Sequence, residues 1–187
     1  ISDVNSDELR IVKPLSEISQ YVIDGIISTE DSSFYEHNGI VPKALLRAIL
    51  QEAVSSGSGA TGGSTLTQQL IKQQILTSEV TFKRKANEIL YALRLEKHFT
   101  KDQILEAYLN VSSFGRNHNG LNIAGIEEAA QGVFGVAAKD LTLPQAAYLV
   151  GMPQNPIVYT PYTNQATLKE DTSAGIERMK FVLFSMY

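Results

Sequence analysis

Cysteine is absent from the 187 residues, which excludes both a disulfide framework and a thiolate zinc site. Histidine occurs only three times, too scattered to suggest a metal cage. No apolar run approaches the ~20 residues that a membrane-spanning helix requires, and the N-terminus lacks the charged-then-apolar pattern of a signal peptide. Positive charge is not in excess either: the formal net charge of −4 argues against a general nucleic-acid binder. The local run Lys83-Arg84-Lys85 nevertheless offers a site for a local anion. Strand-like alternation, internal repeats and low-complexity tails are missing, so no β-sheet is expected. What is present, 43% hydrophobic and 19% charged residues, predicts one globular domain over residues 1–187 with a real core. The chain opens at Ile1 and stops at Tyr187 inside an amphipathic pattern, which reads as a domain taken from a longer, membrane-anchored protein.

The periodicity is helical almost throughout. Ile18, Val22, Ile26 and Ile27 line one face of a helix leading to Glu30. Continued for two turns, that helix stacks Glu30, Phe34 and His37 on one side before Asn38-Gly39 breaks it. A second helix is expected from about Pro42 to Val54, followed by the glycine-rich stretch 55–64, a mobile loop of the kind that covers substrates. Thr65 and Gln68 have capping-box spacing, with Leu66, Leu70 and Ile71 as the buried face, and the free N–H groups of that helix start suit an anion. The apolar positions of 82–99 describe a largely buried helix carrying Arg84, Lys85 and Glu88 together. Thr100 with Gln103 and Thr142 with Gln145 start two further helices. Between them FGRNHNGLNIAGIEEAAQGVFG reads as a loop and a short helix, and a last helix uses Ile176, Met179, Val182, Leu183 and Met186.

The candidate chemistry lies in one stretch of chain. Glu30 and Glu88 bracket GGSTLTQQLIKQQ, which supplies hydroxyls, amides and an ammonium but neither thiol nor histidine. Sugar transfer from a phosphate leaving group needs a base for the incoming hydroxyl and positive charge on the departing phosphates. Glu30, at a helix end beside Phe34, suits the base once partly desolvated, although an isolated acidic helix end is usually solvated surface. Lys72 and Arg84 suit the phosphates, although lone basic residues usually face water. Glu88 has three functional readings, holding Arg84 and Lys85, ligating a magnesium or manganese ion on the phosphates, or assisting departure directly, beside a plain intrahelical ion pair with Arg84. Of the adjacent Gln68 and Gln69, one is expected to reach substrate while the other satisfies buried backbone. His37 reads as an orienter of its loop, and Glu106 as a structural carboxylate near Tyr108.

Taken together, EDSSFYEHNG, GGSTLTQQLIK, RKANEILYALRLE, KDQILEAYLN with GVFG, and AAYLVGMPQNPIVYTP resemble, in order, five blocks of the peptidoglycan glycosyltransferase domain of class A penicillin-binding proteins and monofunctional murein polymerases. The resemblance covers nearly the whole chain. It implies a mainly α, lysozyme-like helical lobe with a smaller membrane-facing jaw, roughly residues 40–63. It also implies polymerisation of lipid II into β-1,4-linked glycan with inversion and undecaprenyl pyrophosphate as leaving group. Glu30 and Glu88 correspond to the catalytic glutamates. Asp31, Phe34, His37, Ser64, Thr65, Gln69, Lys72, Arg84 and Lys85 correspond to residues that bind substrate or moenomycin-like inhibitors. The implied partners are lipid II, the growing strand, the membrane surface and a following transpeptidase domain, at the outer face of the bacterial cytoplasmic membrane. A divalent cation is the one cofactor to consider.

The chain departs from the family pattern where Gln73 replaces a frequent Asn and Val80 a frequent Arg, with Lys83 as a compensating cation. The segment NVSSFGRNHNG is longer and more polar than the usual loop and resembles streptococcal-type members. Two other readings compete: a lytic muramidase on the same fold, disfavoured because glycan cleavage needs no phosphate clamp, and a non-catalytic glycan-binding scaffold, which would need neither glutamate.

Overall fold

The computed structural model describes residues 11–47, 63–74 and 82–187. Among these residues the structure is mainly helical: α1 (Gln20–Glu30), α2 (Leu66–Gln74), α3 (Phe82–His98), α4 (Lys101–Val111), α5 (Ile126–Phe134), α6 (Leu143–Gly151), α7 (Pro156–Tyr159) and α8 (Ser173–Met186). Residues 42–47 are also helical. The remainder of the helix expected to Val54, the loop expected from Ser55, and Val80 fall outside the described residues. No described helix is long and apolar enough to cross a membrane.

Two compact units divide the chain, one formed by residues 11–29 with 109–187 among those described, the other by Glu30–Tyr108. The first unit buries Ile18, Val22 and Ile26 of the N-terminal pattern with Leu149, Val150 and Met152 at the end of α6. Helix α6 is hidden along its length from Ala146 to Gly151, and its start carries the expected capping box, Thr142 N–H donating to Gln145 Oε1 at 3.0 Å. Helix α8 comes close to α6 because residue 175 has no side chain: a Cβ there would lie 2.7 Å from both the Tyr148 hydroxyl and the Tyr159 carbonyl oxygen. That hydroxyl donates to the same carbonyl at 2.9 Å. Burial pushes the Tyr148 phenol up to about 12, so it stays neutral and keeps donating. The N-terminal segment is tied on by Asn110, whose amide donates to Lys13 O and accepts from Lys13 N–H, each at 2.8 Å.

One expectation is overturned in this unit. The segment read as plain loop contains a two-stranded antiparallel sheet, β1 (Ser113–Arg116) and β2 (Asn122–Ala124), with an irregular register between Ser113 and Arg116. Strands of four and three residues are too short to display alternation, and Gly115 sits inside the first. The turn is built by Asn117, whose side-chain oxygen accepts the N–H groups of Asn119 and Leu121, each at 3.0 Å.

The second unit packs α2 against α3 and buries Phe34, Leu66, Leu70, Ile71, Ala92, Ile104, Leu105 and Tyr108. Here two further expectations change. Helix α1 ends at Glu30, and residues 32–37 turn rather than continue the helix, because the Asp31 carboxylate is drawn to the start of α2. Helix α3 is less buried than its apolar content suggested: Leu90 is 53% exposed, while Ala92 and Glu88 are buried.

Candidate active site

Every candidate site residue from Glu30 to Glu88 lies in the second unit, and the residues of α2 organise most of them. The N-terminus of α2 forms the expected box, Thr65 N–H donating to Gln68 Oε1 at 3.0 Å and Gln68 N–H to Thr65 Oγ1 at 3.2 Å. The Thr65 hydroxyl donates in turn to Gly39 O at 2.7 Å. The anion at this helix start is internal: Leu66 N–H donates to Asp31 Oδ2 at 3.0 Å. The expected free N–H groups are therefore corrected. Those of residues 65, 66 and 68 are taken by the protein itself, since a buried carboxylate next to the positive end of a helix is favourable.

Asp31, 7% exposed, also receives His37, whose Nε2 lies 3.0 and 2.9 Å from its two oxygens. His37 Nδ1 accepts Gly39 N–H at 3.0 Å, so the tautomer that satisfies both ends carries its proton on Nε2 and donates to Asp31. His37 thus orients its loop, and its ring meets Phe34 edge to face at 6.1 Å. The turn closes at Gly39, with φ +93° and the Ala92 carbonyl oxygen 2.8 Å from where a Cβ would stand. Gly39→Ala should therefore lower stability by about 2–4 kcal/mol, left-handed strain plus a clash with rigid backbone, read as a shift of the urea midpoint at unchanged slope.

Beneath this turn lies a pair that the sequence did not reveal. Glu96 accepts the Thr67 hydroxyl at 2.6 Å and the Lys101 ammonium at 2.7 Å, and Lys101 stands over the Phe34 ring at 4.5 Å. Residues five apart across a helix break share no helical face, so periodicity carried no signal for them.

The two glutamines divide the two glutamates between them. Gln69 Nε2 donates to Glu30 Oε2 at 3.2 Å, and Gln68 Nε2 donates to Glu88 Oε1 at 3.2 Å. Of the two glutamines, Gln68 is the one that satisfies buried backbone, at Thr65. It also grips a carboxylate, because an amide presents an acceptor and a donor at once. Glu88, 2% exposed, is ion-paired to Lys85. Lys85 donates as well to Ser64 Oγ at 2.9 Å. Glu30 is half-buried at the last position of α1, Arg84 is half-buried, and Lys72 and Lys83 are exposed. Among the described residues no three acidic or histidine side chains converge as metal ligands, and the Glu88 carboxylate is already engaged by an ammonium and an amide. These residues do not fit a protein cage for a divalent ion.

The site therefore presents a half-buried carboxylate that accepts from an amide, and a separate carboxylate–lysine pair. The first can take a proton from a hydroxyl. The second group can hold negative charge as it develops.

Comparison with known proteins places this arrangement in context. A family model described as Transglycosylase matches residues 1–186. Penicillin-binding protein 1B of Haemophilus influenzae is 44% identical over 160 residues, 86% of this chain and 20% of that protein. Penicillin-binding protein 1A of Clostridium botulinum is 38% identical over 186 residues, 98% of this chain and 22% of the relative. Penicillin-binding protein 1A/1B of Bacillus subtilis is 38% identical, covering 100% of this chain and 20% of its own length. The chain thus spans about a fifth of the length of the curated relatives it matches.

Proposed function

The chain belongs to the transglycosylase family as a peptidoglycan glycosyltransferase domain of the class A penicillin-binding-protein type, and from that premise we propose that it polymerises lipid II. The observation that carries the reading is the pair of contacts on the two glutamates: Gln69 donates its amide to Glu30, and Lys85 pairs with Glu88. Most glycan hydrolases set two carboxylates across the scissile bond. A transferase with a diphosphate leaving group needs one base and a cationic cradle, which is what Glu30 and the group Lys72, Arg84 and Lys85 supply.

In the proposed reaction the acceptor's 4-hydroxyl gives its proton to Glu30 while its oxygen bonds to the anomeric carbon of the donor. The bond from that carbon to the pyrophosphate oxygen breaks on the opposite side, giving a β-1,4 linkage, and the electron pair departs with undecaprenyl pyrophosphate. Lys85, fixed by Glu88 and Ser64, and the neighbouring Arg84 and Lys72 neutralise the departing charge. Asp31, Phe34, His37 and Thr65 act by shaping the turn that follows Glu30, and Gln69 by steadying the base. The membrane-facing jaw, roughly residues 40–63, extends beyond the described residues. The partners in this reading are the growing strand, the outer face of the cytoplasmic membrane, and a transpeptidase domain of the longer protein.

Incubation with lipid II, magnesium and detergent, with products resolved by size, tests the proposal. Long muramidase-sensitive strands support it. Cleavage of preformed glycan instead would overturn it in favour of a lytic enzyme, and lipid II binding without turnover in favour of a scaffold. The compensation by exposed Lys83 is tested alongside: Lys83→Ala should weaken lipid II binding about threefold, the scale of one solvent-exposed ionic contact. Unchanged affinity would remove Lys83 from the cradle.

A further inference from the structure

We propose that Tyr108 is a positioning residue for the candidate base, acting through Gln69; the role rests on the reading of Glu30 given above. Tyr108, 0% exposed, donates its hydroxyl to Gln69 Oε1 at 3.1 Å, and the same amide donates Nε2 to Glu30 Oε2 at 3.2 Å. The direction of this chain follows from chemistry alone. An ionised carboxylate only accepts, so the amide must face Glu30 with its NH2. Its carbonyl then faces Tyr108, and the phenol must be the donor. Without the hydroxyl, the amide loses the partner that distinguishes its two ends. Turned over, it would present its carbonyl oxygen to the carboxylate, two acceptors facing each other at hydrogen-bond distance.

The elements make the arrangement stiff. Gln69 lies within α2, Tyr108 within α4, and Glu30 closes α1, so each backbone is fixed by helical hydrogen bonds. The phenol is fully buried, so its hydroxyl needs a hydrogen-bond partner inside the protein. The network sets where the Glu30 oxygens point, a requirement for accepting a proton from a hydroxyl held at about 3 Å.

Tyr108→Phe removes one oxygen and keeps the ring, so the fold should persist, checked by thermal melting. The expected result is a fall of about tenfold in kcat for lipid II polymerisation, the factor one good hydrogen bond supplies, with KM unchanged. A double-mutant cycle tests whether the effect runs through the amide: in a Gln69→Leu background, Tyr108→Phe should add less than twofold. Equal losses in both backgrounds, or parental kcat in Tyr108→Phe, would overturn the proposal. A readout independent of turnover separates this outcome from failure of the lipid II reading. The side-chain amide NMR signal of Gln69, assigned by its loss in Gln69→Leu, should move in both Tyr108→Phe and Glu30→Gln. If it moves in neither, the chain of hydrogen bonds is wrong whatever the substrate; if it moves in both while the parent makes no polymer, the positioning stands and the substrate assignment falls. Should Tyr108→Phe melt below the assay temperature, the Glu30→Gln arm of the NMR measurement and the Gln69→Leu kinetics decide the case, a signal that does not respond and undiminished kcat each refuting it.

Discussion

Glu30→Gln is expected to lower lipid II polymerisation by about 10³-fold, within the range general-base catalysis contributes, while leaving stability near that of the parent. The substitution keeps the size and planarity of the side chain and removes its ability to accept a proton. It also places an amide opposite Gln69, where either end can find a complement, the Gln69 NH2 still donating to an amide oxygen across the present 3.2 Å. Packing changes little because Glu30 is half-buried at the end of α1. Binding of lipid II should survive, since the cationic group around Lys85 and Arg84 is untouched. The measurement is polymer length and amount over time for parent and variant, paired with lipid II binding to each. Equal polymerisation by both would remove Glu30 from the chemistry and leave the hydroxyl proton without an assigned acceptor.

Asp31→Ala is expected to lower stability by about 3 kcal/mol, the scale of losing hydrogen bonds to a buried charged acceptor. For a domain of this length that corresponds to a fall in Tm of roughly 10 °C. Three consequences combine. Leu66 N–H at the start of α2 loses its acceptor, His37 Nε2 loses both carboxylate oxygens, and the turn from Glu30 to Gly39 loses the link that ends α1. Polymerisation should fall as well, because the turn that follows Glu30 is no longer pinned. Thermal melting followed by circular dichroism checks the stability effect. A Tm within 2 °C of the parent, a margin of less than about 1 kcal/mol, would show that Asp31 is not the anchor of the turn.

The helices whose starts carry Thr-x-x-Gln were legible because a capping box is local: Thr65 with Gln68, Thr100 with Gln103 and Thr142 with Gln145 all form as spacing suggests. The apolar face through Val22 and Ile26 was legible for the same reason, its period being a property of the segment itself, whereas Ile18 is buried from extended backbone before α1 and Ile27 is only half-buried. The hairpin at 113–124 was not, since strands this short carry no period and their pairing depends on Asn117 turning back onto its own loop. The partly exposed face of α3 was also hidden. Amphipathic content reports that a helix has an apolar side, not how much of that side a neighbour covers.

For the candidate site the division is similar. Residue types and their order along the chain, with Glu30 and Glu88 flanking a hydroxyl- and amide-rich helix and a cationic run beside Glu88, were set by the sequence alone, and they were enough to point to transfer from a phosphate. Partnership was not. Which glutamine holds which glutamate, that Asp31 occupies the helix start, that Lys101 joins Glu96 and that Tyr108 joins Gln69 were decided by tertiary structure. The physical reason is range. A capping box spans three residues and is written in the spacing, whereas the hydrogen bonds from Tyr108 through Gln69 to Glu30 each cross 39 residues, and only packing brings their ends together.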